Sequence, residues 1–455
     1  MGKYFGTDGF RAEAGVGLTS YHAYEIGRYL AWYYKREKRG GSVSCLVGKD
    51  TRLSSYMLEY AIASGLASGG ADVYMTHVTT TPGVSFSTRT EGLDFGIMIS
   101  ASHNPFYDNG IKIVGAHGEK LDEKITDKIE EHLLGIEEKG QKSTLPFEKG
   151  SKIGRIVDYY GARNRYIGYL ISLSHHSFKS LRIGLDLANG STFMIAKRVF
   201  EALGARVYAI NDDPNGTNVN VRCGSTCPDS LCALVKEKGL DVGFAFDGDG
   251  DRCIAVDETG EVQNGDKILY LLARELKREG ELAKDKIVCT VMSNMGLDNA
   301  LEGVGIGVER TRVGDRFVHE KMQNEGYSLG GEESGHIILS KYATTGDGIL
   351  TAIKVCEAML SQKSTLGALC RDVRTLPQKS VSIPVKDKKR VMSNPLLENE
   401  VNEIKRELSK NGRVLLRESG TEPVIRIMVE AMGEGECEKY VERISSLIYA
   451  QGLNL

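Results

Sequence analysis

A basic excess is missing: 58 lysines and arginines stand against 61 aspartates and glutamates, for a formal net charge of −3. No broad cationic surface for nucleic acid is expected, and any anionic substrate has to be caught locally. Long apolar runs are missing too, so no stretch spans a bilayer. The opening "MGKYFGTDGF" lacks the apolar core of a secretion signal, and Gly6 stands where a myristoylation pattern requires Ser or Thr. Cysteine is sparse, nine in 455 residues, an odd number that suits free thiols in a reducing cytoplasm better than a disulfide framework. The one cluster, Cys223, Cys227 and Cys232, lacks CxxC spacing and a nearby fourth ligand, so zinc is not expected there. No GxSxG elbow occurs: in "GEESG" the serine is displaced by one residue, which argues against an α/β-hydrolase.

What is present is an ordinary globular composition, 41% hydrophobic and 26% charged, in a chain too long for one core. A strand-helix-strand grammar occurs three times. "SVSCLVGKDTR", "SSYMLEYAIASGLASGG" and "ADVYMTHV" are followed by "LRIGLDLANG", "STFMIAKRVFEALG" and "ARVYAI", then by "DKIVCTVMSN", "MGLDNALEGVG" and "IGVERTRV". Each predicts a right-handed crossover and a largely parallel sheet. A further strand-like segment follows each unit and ends in a polar loop: "DFGIMIS" in "ASHNP", "DVGFAF" in "DGDGDR", "GYSLG" in "GEESGH". Ligands collect at the carboxyl ends of such strands, so three equivalent loops can face one cleft. After about Thr375 the texture changes to a small α+β segment carrying "RESGTEP".

The loops carry the chemistry. In "DGDGDR", Asp247, Asp249 and Asp251 alternate with glycines that let the backbone crowd them, and a divalent cation relieves the repulsion. Oxygen ligands point to Mg²⁺ or Ca²⁺ rather than zinc. The spacing also mimics an EF-hand, but Arg252 occupies the glycine position and the flanks are strand-like, so calcium signalling is rejected. Ser102 alone reads as a turn or cap residue. Beside a metal loop it becomes a phosphoserine whose oxygens complete the coordination. His103 and Lys112 are candidates to move protons or neutralise charge, and the residues do not decide between them. Arg417, Ser419, Gly420, Thr421 and Arg426 make a phosphate clamp, or else a hairpin turn with surface arginines. Glu332 and Ser334, with His336, suit the hydroxyls of a sugar.

With these motifs in order, from "KYFGTDGFR" to "SGTEPVIRIMVE", the chain resembles the α-D-phosphohexomutase superfamily. "TVMSNMGL", "RTRVGDRFV" and "TTGDGI" are similar to its glucosamine branch. The resemblance implies an α/β fold of three related α/β/α domains with mixed sheets around a central cleft, at residues 1–150, 151–255 and 256–372, plus a smaller C-terminal α+β domain at 373–455. It implies a phosphorylated Ser102, one Mg²⁺ held by that phosphate with Asp247, Asp249 and Asp251, and a sugar read by Glu332 and Ser334. Thr7, Gly9 and Arg11, with Arg252, are expected along the cleft. The implied reaction exchanges glucosamine 6-phosphate and glucosamine 1-phosphate through a hexosamine 1,6-bisphosphate, for amino-sugar nucleotide and cell-wall precursor synthesis. A cytoplasmic monomer or homodimer acting on a small phosphosugar is implied, without nucleic-acid or membrane partners. The alternatives are a phosphoglucomutase or phosphomannomutase activity and a phosphosugar-binding sensor. Two departures stand out: Glu333 replaces a glutamine common in the glucosamine branch, and Cys227 a more familiar histidine.

Overall fold

The computed structural model describes residues 4–6, 9–137, 143–419 and 423–455. Seven strands form the first sheet: β1 (Phe5–Gly6), β2 (Gly9–Glu13), β3 (Val43–Lys49), β4 (Ala71–Val78), β5 (Phe95–Ile99), β6 (Asp108–Gly115) and β7 (Ile156–Asp158), in the order β1-β2-β6-β5-β3-β4-β7. The second contains β8 (Arg182–Asp186), β9 (Arg206–Ile210), β10 (Val242–Phe246), β11 (Cys253–Val256) and β12 (Val262–Gln263), ordered β12-β11-β10-β8-β9. The third, ordered β14-β13-β15-β16, contains β13 (Lys286–Thr290), β14 (Gly307–Thr311), β15 (Leu329–Gly331) and β16 (Ile337–Leu339).

The threefold grammar is a repeat of topology. β3, β8 and β13 each pair in parallel with the next two strands of their unit. Their apolar residues, such as Cys45, Leu46 and Val47, are buried on both faces, as helix-covered parallel strands require. The expectation of largely parallel sheets needs one correction. After each polar loop the chain returns antiparallel, β6 beside β5, β11 beside β10 and β16 beside β15, so every sheet is mixed. A short polar loop cannot make the crossover that parallel pairing needs. All three loops therefore lie at the carboxyl ends of parallel strands.

The chain divides into two compact units, Met1–Met292 with Ile306–Arg371, and Ser293–Gly305 with Asp372–Leu455. The first holds the three mixed sheets. In the second, β17 (Gln378–Pro384), β18 (Arg413–Glu418) and β19 (Val424–Glu430) form an antiparallel sheet ordered β17-β19-β18. Helices Pro395–Leu408 and Glu434–Ala450 close its core through Ile404, Leu408, Ile444 and Ile448, packed on Ile383, Ile425 and Ile427. Helix Met295–Glu302 belongs here although it lies between β13 and β14 in sequence; Met295 N–H donates to Glu430 Oε2 at 3.0 Å. Among the described residues no helix is long and apolar enough to cross a membrane.

Candidate active site

The loop after β10 is held by backbone bonds from three directions. Thr81 N–H donates to Asp249 O at 2.9 Å, Ser191 N–H to Gly248 O at 2.8 Å, and Gly348 N–H to Gly250 O at 3.0 Å. Its glycines are needed for space: a Cβ on Gly248 would stand 2.5 Å from Ser102 O, and Gly250 adopts a φ of +73°. The result is a buried trio, Asp247, Asp249 and Asp251, with one carboxylate oxygen of each within 4.8 Å of the others. Among the described residues it is the one grouping of this kind.

Ser102 follows β5 with a left-handed φ of +54° and is buried. Its Oγ donates to Asp247 Oδ2 at 2.5 Å and lies 3.4 Å from His103 Nδ1. Lys112 Nζ bridges Asp249 Oδ2 at 2.8 Å and Asp251 Oδ2 at 3.1 Å, and Thr81 Oγ1 donates to Asp249 Oδ2 at 2.5 Å. Burial, then repulsion from Asp251 and Asp249, pushes the Asp247 carboxyl well above the usual range. Burial also opposes ionisation of Asp251, but Lys112, His336 and Arg252 outweigh it and hold that carboxyl well below the usual range. Asp249 Oδ1 and Asp251 Oδ1 are buried without a hydrogen-bond partner. Buried carboxylate oxygens left over in this way, with no sulfur or nitrogen among the donors, fit a hard divalent cation.

In the third loop Glu332 Oε1 accepts from Gly314 N–H at 3.1 Å, and Ser334 Oγ is buried without a hydrogen-bond partner. Burial, with help from Asp315, raises the Glu332 carboxyl. His336 Nδ1 lies 3.7 Å from Asp251 Oδ1 and Nε2 3.5 Å from Asp315 Oδ2. Burial works against a charged His336 ring, but these carboxylates push it up to about 9. Gly346 N–H nevertheless points at Nε2 from 3.0 Å, which is the geometry of the neutral tautomer, so a second proton on the ring displaces that bond.

Arg11, His103, Arg252, Glu332, Ser334 and His336 share one cleft of ≈ 430 Å³, inside the range of about 300–1,000 Å³ common for small-molecule sites. Burial, then Arg252 and Arg11, pulls the His103 imidazole down to about 4. Gly9 and Lys112 border a separate cavity with Asp251 and Asp315. Gly9 serves close packing as well, since a Cβ there would meet Ile111 O at 2.4 Å. Thr7, Gly420 and Thr421 lie outside the described residues.

Within the second unit, β18 and β19, which flank the "RESGTEP" loop, pair antiparallel. Arg417 and Arg426 sit directly opposite each other across those strands. Like charges so placed repel, and burial followed by Arg426 lowers the Arg417 guanidinium below its usual value. Ser419 is buried and its carbonyl accepts from Lys388 Nζ at 2.8 Å. Thr81, Asp315 and Lys388 were not singled out in the sequence. "VGDRFV" drew attention as a segment, but no motif marks a lone threonine or lysine as a partner of a distant loop.

Four family models match in order: phosphoglucomutase/phosphomannomutase α/β/α domain I over residues 2–140, domain II over 164–260, domain III over 264–376 and the C-terminal domain over 381–447. A phosphoglucosamine mutase of Lachnospira eligens is 52% identical over 452 residues, 99% of each chain. One from Anoxybacillus flavithermus is 45% identical over 448 residues, 98% of this chain and 99% of the other. Among solved structures, a phosphoglucomutase/phosphomannomutase family protein of Burkholderia thailandensis superposes with a TM-score of 0.81 at 25% identity, covering 99% of this chain and 98% of its own. Matched along its whole length and in every domain, the chain belongs to the phosphoglucomutase/phosphomannomutase family.

Proposed function

We propose that the chain interconverts glucosamine 6-phosphate and glucosamine 1-phosphate, with Ser102 as the phosphoryl carrier. The observation that carries this reading is the placement of Ser102 Oγ 2.5 Å from Asp247 in a buried aspartate trio. Full-length relatives called phosphoglucosamine mutase, at 52% and 45% identity, support the choice of sugar. Asp247, Asp249, Asp251 and a phosphoserine oxygen would hold Mg²⁺, whose contribution is to polarise the phosphoryl group.

The chain's own residues supply the remainder. In the first transfer the Ser102 Oγ–P bond breaks and a bond forms from phosphorus to the free hydroxyl of the bound sugar phosphate. The hydroxyl proton passes by way of His103 Nδ1, the ring nitrogen nearest Ser102 Oγ, to the departing Oγ, so Ser102 is left as a free hydroxyl able to accept a phosphoryl group from the resulting bisphosphate. Lys112, already spanning Asp249 and Asp251, supplies fixed positive charge where the transition state spreads negative charge. Glu332 and Ser334 read the sugar hydroxyls in the cleft, and Arg417, Ser419, Gly420, Thr421 and Arg426 bind the phosphate that is not transferred. The bisphosphate turns over and returns its other phosphoryl group, reversing the proton transfer. We place the reaction in the cytoplasm, where nine free cysteines persist.

Glu333, a carboxylate lining the cleft, keeps a glucose or mannose phosphate as the second reading. Turnover on the 1-phosphates of glucosamine, glucose and mannose, with a trace of bisphosphate, decides. The glucosamine substrate is expected to give the highest kcat/KM, and a strong preference for glucose overturns the assignment.

A further inference from the structure

The loop that presents Ser102 is wrapped around a side chain to which neither the reaction nor the family motifs assign a role. Arg52 is fully buried, and each of its five guanidinium N–H groups has an acceptor. Nε donates to Asp50 Oδ2 at 2.7 Å. Nη2 donates to Ser102 O at 2.8 Å and Asn104 O at 2.9 Å. Nη1 donates to Asp108 O at 3.1 Å and to Pro105 O. Four carbonyls of one loop thus converge on one rigid fork. Asn220, from the segment that precedes β10, donates to two of the same carbonyls, Ser102 O at 2.8 Å and Asn104 O at 3.1 Å.

Asp50 completes the arrangement. Its Oδ2 also accepts from Ser100 Oγ at 2.7 Å, and Ser100 Oγ accepts from Ser102 N–H at 2.9 Å. Its Oδ1 accepts from Ser55 Oγ at 2.7 Å and Arg52 N–H at 3.0 Å. Both backbone ends of Ser102 are therefore tied to the same buried ion pair, the N–H through Ser100 and Asp50 and the carbonyl through Arg52. That bracing holds a non-glycine residue at a φ of +54°, a conformation that persists only where its surroundings fix it. With the backbone fixed, only the side-chain torsion remains to aim Oγ at Asp247.

We infer that Arg52, oriented by Asp50, is the positioning residue that holds Ser102 in line for phosphoryl transfer, and that Asn220 shares the task from the second sheet's segment. This rests on the reading of Ser102 as the phosphoryl carrier. The guanidinium also draws four carbonyl dipoles onto itself, so their negative ends are engaged where a phosphate dianion has to be accommodated nearby. A lysine keeps the charge but has three donors radiating from one atom and cannot match the fork.

The test uses the full-length enzyme as Arg52→Lys and Asn220→Gly, the latter chosen because glycine accepts the φ of +58° at that position. Wild-type protein is first incubated with a hexosamine bisphosphate and assayed for phosphate on Ser102 and for mutase turnover. If it shows neither, the phosphoryl-carrier reading fails, and the clamp loses its purpose with it. If it shows both, Arg52→Lys is expected to lose about 100-fold in kcat with KM for the sugar phosphate within about threefold of wild type, in a protein that still folds at a lower melting temperature because buried carbonyls lose their donors. Asn220→Gly is expected to show a smaller loss of the same kind. Folded variants whose kcat stays within about threefold of wild type, or whose KM rises while kcat holds, overturn the inference. Should Arg52→Lys fail to fold, the kcat of Asn220→Gly decides alone.

Discussion

Asp249 shows how one carboxylate is prepared from two sides. Thr81 and Lys112 both reach its Oδ2, which fixes the group and leaves Oδ1 buried without a hydrogen bond. Partners of this kind commonly control metal affinity, by about 10–100-fold when removed. Thr81→Val keeps the shape and deletes the hydroxyl, so titration of Mg²⁺-dependent turnover should give an affinity lower by about that factor; an unchanged affinity contradicts the role. The aspartates were legible in the sequence because their density within a few residues has few structural explanations, whereas Ser102, which alone reads as a turn residue, was legible only from the equivalence of its loop to theirs and from the family resemblance. Thr81 was not, since threonine is common in loops and its partner lies 168 residues away. Arg52 was hidden for the same reason, inside a polar stretch that reads as an ordinary strand end.

Local periodicity made the crossover elements legible, and β4 was read from Ala71 to Val78 as it stands. Features set by close approach between elements were not. Helix Leu53–Ser68 packs on helix Ser20–Glu37 so tightly that a Cβ on Gly65 would meet Tyr24 O at 2.1 Å, yet in sequence Gly65 is only one of several glycines near a helix end. Helix Gly348–Gln362 supplies the pH prediction. Its N-cap, Asp347, accepts from Leu350 N–H at 3.0 Å and Tyr166 Oη at 2.7 Å. Burial nevertheless raises its carboxyl from 3.8 to about 6, against the lowering effect of those bonds. Below the lower value the group is protonated whether the chain is folded or not. Between the two values it ionises only in the unfolded chain, so folding stability falls as pH rises through this window, by about 3 kcal/mol at its upper end. Asparagine keeps a capping oxygen and does not titrate. The melting temperature of Asp347→Asn relative to wild type should therefore be most favourable above about pH 7 and should move against the variant as pH falls toward about 4. A gap independent of pH contradicts this.

Across the whole molecule, sequence order gave the succession of polar loops and the change of texture near Thr375, because both are properties of the chain alone. Membership of the second unit was not legible for helix Met295–Glu302, whose pattern is that of the third crossover helix but whose N-terminal N–H bonds to Glu430. The second unit also separates function from stability. Two arginines facing each other across β18 and β19 repel, which is a cost a phosphate dianion would offset. Arg417→Ala should raise KM for the sugar phosphate by about 10- to 100-fold while leaving the melting temperature equal or higher. Lost stability with an unchanged KM contradicts the clamp.

The central claim is that one hydroxyl, set against three buried aspartates, carries the phosphoryl group between the two ends of a sugar. Peptide-resolved mass spectrometry after incubation with glucosamine 1,6-bisphosphate tests it most directly, with Ser102→Ala as the control. The account predicts a single added phosphate located on Ser102, and in the control neither the phosphate nor turnover. Phosphate on another residue, or full mutase activity in the Ser102→Ala protein, would contradict it.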